Sequence, residues 1–208
     1  MLGSPPRGLY ILGFGGHARS VSDVALQVGI ERLVFVDPAA TQTDQQFVVL
    51  QELPHHIEDG WAVFPAIGNN KIRKAVCADL MNKLAIVSSR HASIGFQAEI
   101  GRGTFIGHHA HVGPFANIGS GVILNTGAIV EHDCIVGDFS HVSVNATLAG
   151  STCIGSNVMI GAGATVIDGI RICDDVVVGA GATVVRNIDR PGTYVGTPAK
   201  PSGRCLQT

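Results

Sequence analysis

The sequence predicts two units in series. An α/β N-terminal unit with a small Rossmann-like parallel sheet spans residues 1–88, and an all-β parallel β-helix of six-residue repeats with a C-terminal cap spans 89–208. Three observations predict it. Short apolar runs alternate with helical periods as far as Lys83, and from Ile94 to Val184 every sixth residue is aliphatic. Glycine supplies 27 of 208 residues and charged residues only 14%, against usual shares of about 7% and about 25%.

Leu9 to Gly13 reads as the first strand. His17 to Val28 sets Val21, Val24, Ala25 and Val28 three and four apart, the face of a helix. Leu33 to Asp37 is the second strand. Trp61 to Gly68 is the third, with Pro65 near its edge or end, and Asn69 to Lys83 is a second helix capped by Asn69. Thr41 to Gly60 shows no pattern. Strands alternating with helices make a parallel sheet.

The first strand runs into Gly13-Phe14-Gly15-Gly16-His17-Ala18, and Asp37 ends the second, 20 residues after His17. Such a turn offers bare N–H groups at a helix N-terminus to phosphate while an acid on the next strand takes hydroxyls. A tight strand-to-helix turn that needs glycine for its φ angles accounts for the same residues.

The sixteen positions from Ile94 to Val184 are all aliphatic, and Gly follows at nine of them. A period of six fits neither a helix of 3.6 nor a two-residue strand alternation, so the chain winds as a coil with several equivalent faces. The aliphatic points inward, a small residue two positions earlier fills the remaining space, and a Gly or Asn corner tolerates the turn. Sixteen buried aliphatics represent a gross gain of about 24 to 48 kcal/mol before chain entropy. After Val184 the period breaks, and Asn187 to Lys200 is a Pro- and Gly-rich closing loop.

Composition excludes several classes. The net charge is −2 with no run of Lys or Arg, so a duplex-binding surface is not expected. No 18-residue apolar stretch exists to span a bilayer, and the first residues lack a signal-peptide pattern, which makes the cytoplasm the expected compartment. Five cysteines, odd in number and without a CxxC pair, read as reduced thiols.

In so uncharged a chain the segment Asn125 to His141 stands out for two histidines with acids near them, His132 between Glu131 and Asp133 and His141 shortly after Asp138. A histidine next to an acid on a rigid strand suits a general base; an inert surface histidine is the alternative. His108 and His109 point to opposite sides of a strand, leaving at most a two-histidine site with His111, so no metal is expected.

The GFGGH turn, the strand end Ile67-Gly68-Asn69-Asn70, the block ILNTGAIVEHDCIVGDFSHVSVNATLAG from Ile123 to Gly150 and the closing VGTPAK together resemble the bacterial nucleotide-amino-sugar N-acetyltransferases of the hexapeptide-repeat family. The resemblance spans nearly the whole chain. It implies a left-handed β-helix with three repeats per coil, acetyl-CoA as cosubstrate and no metal. By match, His132 is the base, with Asp133 where the family has Glu, Asn125 is an active-site asparagine, and Gly150 is a backbone donor to the reacting carbonyl. His141, Ala162 and Ala180 meet acetyl-CoA, while Gly15, Gly16, His17, Asp37, Pro38, Gly68 and Asn69 meet the nucleotide sugar.

On an 18-residue coil Gly150 lies one coil above His132, and His141, nine residues away, falls on the opposite side of the prism. A homotrimer would complete each site between two copies. The implied reaction acetylates the 4-amino group of a nucleotide-linked 4-amino-4,6-dideoxy sugar, a UDP-sugar first, with GDP-perosamine or a dTDP-4-amino sugar as alternatives. Three further readings remain: a sugar O-acetyltransferase, a non-catalytic or metal-binding trimer, and an N-terminal unit that is only a cap.

Overall fold

The structure is a computed structural model and describes residues 5–39 and 47–203. Strands β1 (Gly8–Leu12), β2 (Arg32–Val36), β3 (Val48–Leu50) and β4 (Trp61–Pro65) form a parallel sheet in the order β3-β2-β1-β4. Central β1 is buried along its whole length, as a strand covered on both faces must be. Pro65 closes edge strand β4, where its missing N–H removes no ladder bond that the sheet needs. β3 was not predicted; three residues are too short for a two-residue alternation to register. Residues 40–46, which take in the start of the segment that showed no pattern, lie outside the described residues, as does Cys205.

Helix α1 (Gly16–Gln27) buries Val21, Val24 and Ala25 of the predicted face together with Ala18, while Val28 is the half-buried C-cap just beyond it. Helix α2 is shorter than predicted: it spans Asn70–Cys77, and a 3₁₀ turn follows at Met81–Lys83. Its polarity is inverted, with Asn70, Arg73 and Cys77 buried while Ile72 and Val76 stay exposed. Beyond Cys77 the chain tightens to carry Leu80, Met81 and Leu84 onto Tyr10, Leu12 and Val63.

Each solenoid strand pairs in parallel with the strand 18 residues on, for example Ile123 with His141, Ile129 with Thr147 and Ile135 with Cys153. Three hexapeptides therefore make one coil and the prism has three faces, the architecture of a left-handed β-helix. A docking face carries Val87, Phe105, Ile123, His141 and Met159 on its outside, a middle face carries His111, Ile129, Thr147 and Thr165, and a far face carries Asn117, Ile135, Cys153 and Arg171. The rung Val87–Ser88 precedes Ile94; Ser88 is where the aliphatic series fails. Of the sixteen aliphatics only Ile94 and Ile100, on the first coil, escape full burial.

The corner glycines have a different cause from the one predicted. None of the nine that follow an aliphatic has a positive φ; instead an added Cβ would strike the next coil, as at Gly137, 2.4 Å from the Gly155 carbonyl carbon. The left-handed residues lie two positions further on, in an unbroken series at every sixth residue from Gln97 to Gly181.

The N-terminal unit sits on the docking face, where Val87, Phe105 and Ile123 share a core with Leu9, Ile11, Ala18 and Val21. Residues Gly192–Val195 extend that sheet and Lys200–Pro201 return antiparallel, so the VGTPAK segment folds over the last coil. Among the described residues, no helix is long and apolar enough to cross a membrane, and Cys77, Cys134, Cys153 and Cys173 are free thiols.

Candidate active site

His132 and Asp133 stand at the corner between the middle and far faces. Asp133 occupies one of the left-handed positions, at φ 58°, a conformation that Asp tolerates better than most residues. The short carboxylate does reach the ring: His132 Nδ1–H donates to Asp133 Oδ2 at 2.8 Å. That bond leaves Nε2 bare, the tautomer a proton acceptor needs. Both side chains are more than half exposed, so the pair orients the ring more than it stabilises the fold.

Gly150 lies one coil above, in register through the Ser151 N–H to His132 carbonyl bond of 2.9 Å. A Cβ there would sit 2.6 Å from His132 Cε1 and Nε2. Glycine is thus what lets the imidazole lean over this backbone. In two other corners the equivalent amide is capped by an aspartate one coil up, Ser120 N–H by Asp138 and Ser156 N–H by Asp174. Asp168, in that register over Gly150, makes no such bond among the described residues, so the amide beside His132 is available to an oxygen.

His141 is not on an open face of its chain. It lies on the docking face under the N-terminal unit, 9% exposed. Asn125 Oδ1 accepts the Thr126 N–H at 2.8 Å, which turns Asn125 Nδ2 toward His141 Nε2 at 3.3 Å. Nε2 is therefore the acceptor, and the hydrogen resides on Nδ1, which is buried without a partner. Burial, then the charges of Arg73 and His17, hold the His141 pKa down to about 3. His17 behaves alike: burial, then Arg73, lowers it to about 4, its Nε2 is unpartnered, and its ring meets Phe105 edge-on at 5.1 Å.

Asn125, Ala162 and Ala180 all fall at the corner between the docking and middle faces, the two alanines exposed one coil apart. Within one chain they are separated from His132 and Gly150 by the width of the middle face. The sequence grouped Asn125 with His132; the structure groups it with His141.

Within the strand-to-helix turn itself, Gly13 is the glycine that needs its conformational freedom, at φ 103°. Gly15, Gly16 and Gly68 have no positive φ, and a Cβ on any of them would meet nothing within 4 Å. Their missing side chains leave room rather than relieve strain. The α1 N-cap, Gly15, offers no side-chain cap, so the first helical amides stay open. Asp37 is engaged by this turn: Oδ2 accepts the Phe14 N–H at 3.0 Å and Oδ1 the Ala39 N–H at 2.9 Å. Pro38 is exposed beside it, and Asn69 caps α2 through the Ile72 N–H at 2.9 Å.

The histidines at 108 and 109 sit at a corner rather than on a strand, with ring centroids 6.5 Å apart. His108 is bound on both nitrogens, to Ser89 Oγ at 2.7 Å and Asp23 Oδ2 at 2.8 Å. Among the described residues no group of three or more His, Cys, Asp or Glu could hold a metal. Arg73 escaped the sequence reading altogether; the only signal was its spacing with Asn70 and Cys77, three polar or thiol residues on one helical face.

Residues 8–80 match the PglD N-terminal domain and residues 152–186 the bacterial transferase hexapeptide repeats. No curated protein sequence matches. Among solved structures, the acetyltransferase domain of PglB from Neisseria gonorrhoeae FA1090 is 32% identical at a TM-score of 0.88, covering 94% of this chain and 100% of that one. The same domain in complex with acetyl coenzyme A is equally identical, 32%, at a TM-score of 0.87 over 95% and 100%. A variant of GDP-perosamine N-acetyl transferase from Caulobacter crescentus, in complex with CoA and GDP-perosamine, is 30% identical at a TM-score of 0.87, covering 95% and 97%. With an identity of three in ten or more sustained over nearly the whole of both chains, and with the three-sided solenoid and its histidine corner, this acetyltransferase belongs to the nucleotide-amino-sugar N-acetyltransferases of the hexapeptide-repeat family.

Proposed function

We propose that the chain transfers acetyl from acetyl-CoA to the 4-amino group of a nucleotide-linked 4-amino-4,6-dideoxy sugar, a UDP-sugar in first place. The observation that carries this is the His132 ring, tethered at Nδ1 by Asp133, bare at Nε2 and lying against the uncapped Gly150 amide. His132 Nε2 takes a proton from the sugar ammonium, and the freed amine attacks the thioester carbonyl. The oxyanion of the tetrahedral intermediate is held by the Gly150 N–H, an interaction worth about 2.7 to 4 kcal/mol in comparable sites. Collapse breaks the C–S bond, and the second proton shed by the attacking nitrogen passes to the departing sulfur, so that a neutral amide and CoA thiol are released.

The nucleotide sugar is assigned to the space left by Gly15, Gly16 and Gly68 at the open α1 N-terminus, with His17, Asp37, Pro38 and Asn69 around it. Because Asp37 already accepts two backbone amides, its part is to hold the turn as well as to meet ribose. The pantetheine arm of acetyl-CoA is assigned to the smooth edge of Ala162 and Ala180, near His141.

Since that edge and His132 are a face apart in one chain, the site is proposed to form between copies in a homotrimer. The exposed, edge-on pair Phe96 and Phe115, on the His132 corner and 70% and 53% exposed, supports a covered interface there. The division into units at residues 88 and 89 and a cytoplasmic location belong to the same reading.

The test is thiol release from acetyl-CoA with UDP-, GDP- and dTDP-linked 4-amino sugars, followed by NMR of the product. Highest kcat/KM on the UDP-sugar with an N-acetyl product is expected. A preference for GDP-perosamine would move the nucleotide assignment, and an O-acetyl product would replace the amine by a hydroxyl.

A further inference from the structure

Helix α2 carries a cation into the interior, and among the described residues no carboxylate meets it. Arg73 is fully buried. Its Nε–H donates to Gly121 O at 2.7 Å, Nη1 to Ile67 O at 2.8 Å and Gly68 O at 3.1 Å, and Nη2 to Asn70 Oδ1 at 2.8 Å, Phe139 O at 2.9 Å and Ser140 O at 3.4 Å. None of these acceptors is a carboxylate. A buried guanidinium without a counter-ion is expensive, and an apolar side chain would suffice merely to pin a helix.

The acceptors belong to two places. Ile67 and Gly68 are the strand end proposed to meet the nucleotide sugar. Gly121 and Phe139 are corner residues of successive solenoid coils. Asn70, held by the same guanidinium, donates to Val158 O at 3.2 Å, and that oxygen also accepts the His141 N–H at 2.8 Å. One planar fork therefore joins the nucleotide side to the strand that carries His141, a task that five donors in fixed geometry can perform and an ammonium cannot.

We infer that Arg73 is a positioning residue of the transfer reaction, fixing the Ile67–Asn70 segment, and with it the nucleotide sugar, against the solenoid strand of His141. The inference rests on the proposed function only for the identity of the ligands. The charge has a second consequence, because Arg73 acts on His17 from α1 and His141 from the docking face, each with an unpartnered buried ring nitrogen. At His141 burial comes first, then Arg73 and His17, and at His17 burial comes first, then Arg73. The remaining neighbour, Cys77, is pushed up to about 11 by burial and stays a neutral thiol.

Two variants separate fork from charge. Arg73→Lys keeps the charge and loses the fork; Arg73→Met loses both. Thermal melts establish that each is folded, and steady-state kinetics with the nucleotide sugar and acetyl-CoA are read beside imidazole NMR titrations of His17 and His141, which need no substrate. For Arg73→Lys we expect the nucleotide-sugar KM to rise about 10-fold with acetyl-CoA KM unchanged, and the imidazole titrations to stay in place. For Arg73→Met we expect both titrations to move up by about 1 pH unit as well. A folded Arg73→Lys with wild-type nucleotide-sugar KM, or with both KM values raised equally, overturns the positioning role. Unmoved titrations in a folded Arg73→Met overturn the charge role; should that variant not fold, the same titrations in Arg73→Gln decide the charge role and Arg73→Lys decides the positioning role. Absence of thiol release by the wild type on any amino sugar would defeat the proposed function while leaving the titrations to be judged separately.

Discussion

At four positions of the candidate site glycine has no backbone reason to be glycine. Gly15, Gly16 and Gly68 face open space, and Gly150 faces the His132 ring. Gly150→Ala puts a methyl where Cε1 and Nε2 lie and leaves φ in the ordinary region. Turnover should fall about 100-fold, as for misplacement of a catalytic group by roughly 1 Å, with an unchanged melting temperature; wild-type turnover would remove Gly150 and its contact from the reaction. His132→Ala should lose at least about 100-fold in turnover, the low end for a general base, with acetyl-CoA affinity retained in equilibrium binding. His132 beside Asp133 was visible as an acid-paired histidine, and once the resemblance supplied three repeats per coil, the spacing of 18 set Gly150 one coil above it, where the structure has it. The sequence could not reveal that Asp37 is already engaged by Phe14 and Ala39, or that Asn125 turns to His141, because those bonds depend on loops and corners that no period governs.

At the level of elements, the solenoid was readable and α2 was not. An aliphatic every sixth residue is dictated by one buried line per face, whereas α2 buries Asn70, Arg73 and Cys77 and exposes Ile72 and Val76, which inverts the pattern on which helix reading depends. The glycines were legible as a series but not in their cause. Gly137 clears the next coil, whereas Gly163 sits at φ 66° in open space. Urea unfolding should therefore rank Gly137→Ala, which drives a Cβ into backbone, as more destabilising than Gly163→Ala, which costs about 1 to 2 kcal/mol for its left-handed conformation. The reverse order would mean that conformation, not clearance, governs these corners. Leu148, fully buried on the prism axis, should cost about 2 to 5 kcal/mol on truncation to Ala.

For the molecule as a whole, the buried imidazoles tie stability to pH. Unfolded histidine titrates near 6.5, while burial holds His17 at about 4 and His141 at about 3. Between those values the unfolded chain binds more protons. Their contribution is complete above pH 6.5 and is lost as pH falls toward 4 and then 3, at up to about 1.4 kcal/mol per pH unit for each residue. Denaturant midpoints measured from pH 7 to 4 should fall accordingly, and Arg73→Met should flatten that fall.

The larger claim is that the two halves of each reaction site come from different copies of the chain. Mixed assemblies test it most directly. His132→Ala removes one half, and Ala162→Trp, which blocks the smooth edge, removes the other. Each variant alone should be inactive, yet a 1:1 co-assembly should recover about one quarter of wild-type thiol release, because random pairing leaves one site in four with both halves intact. No recovery from a mixture shown to have exchanged its subunits would place the whole reaction within a single chain.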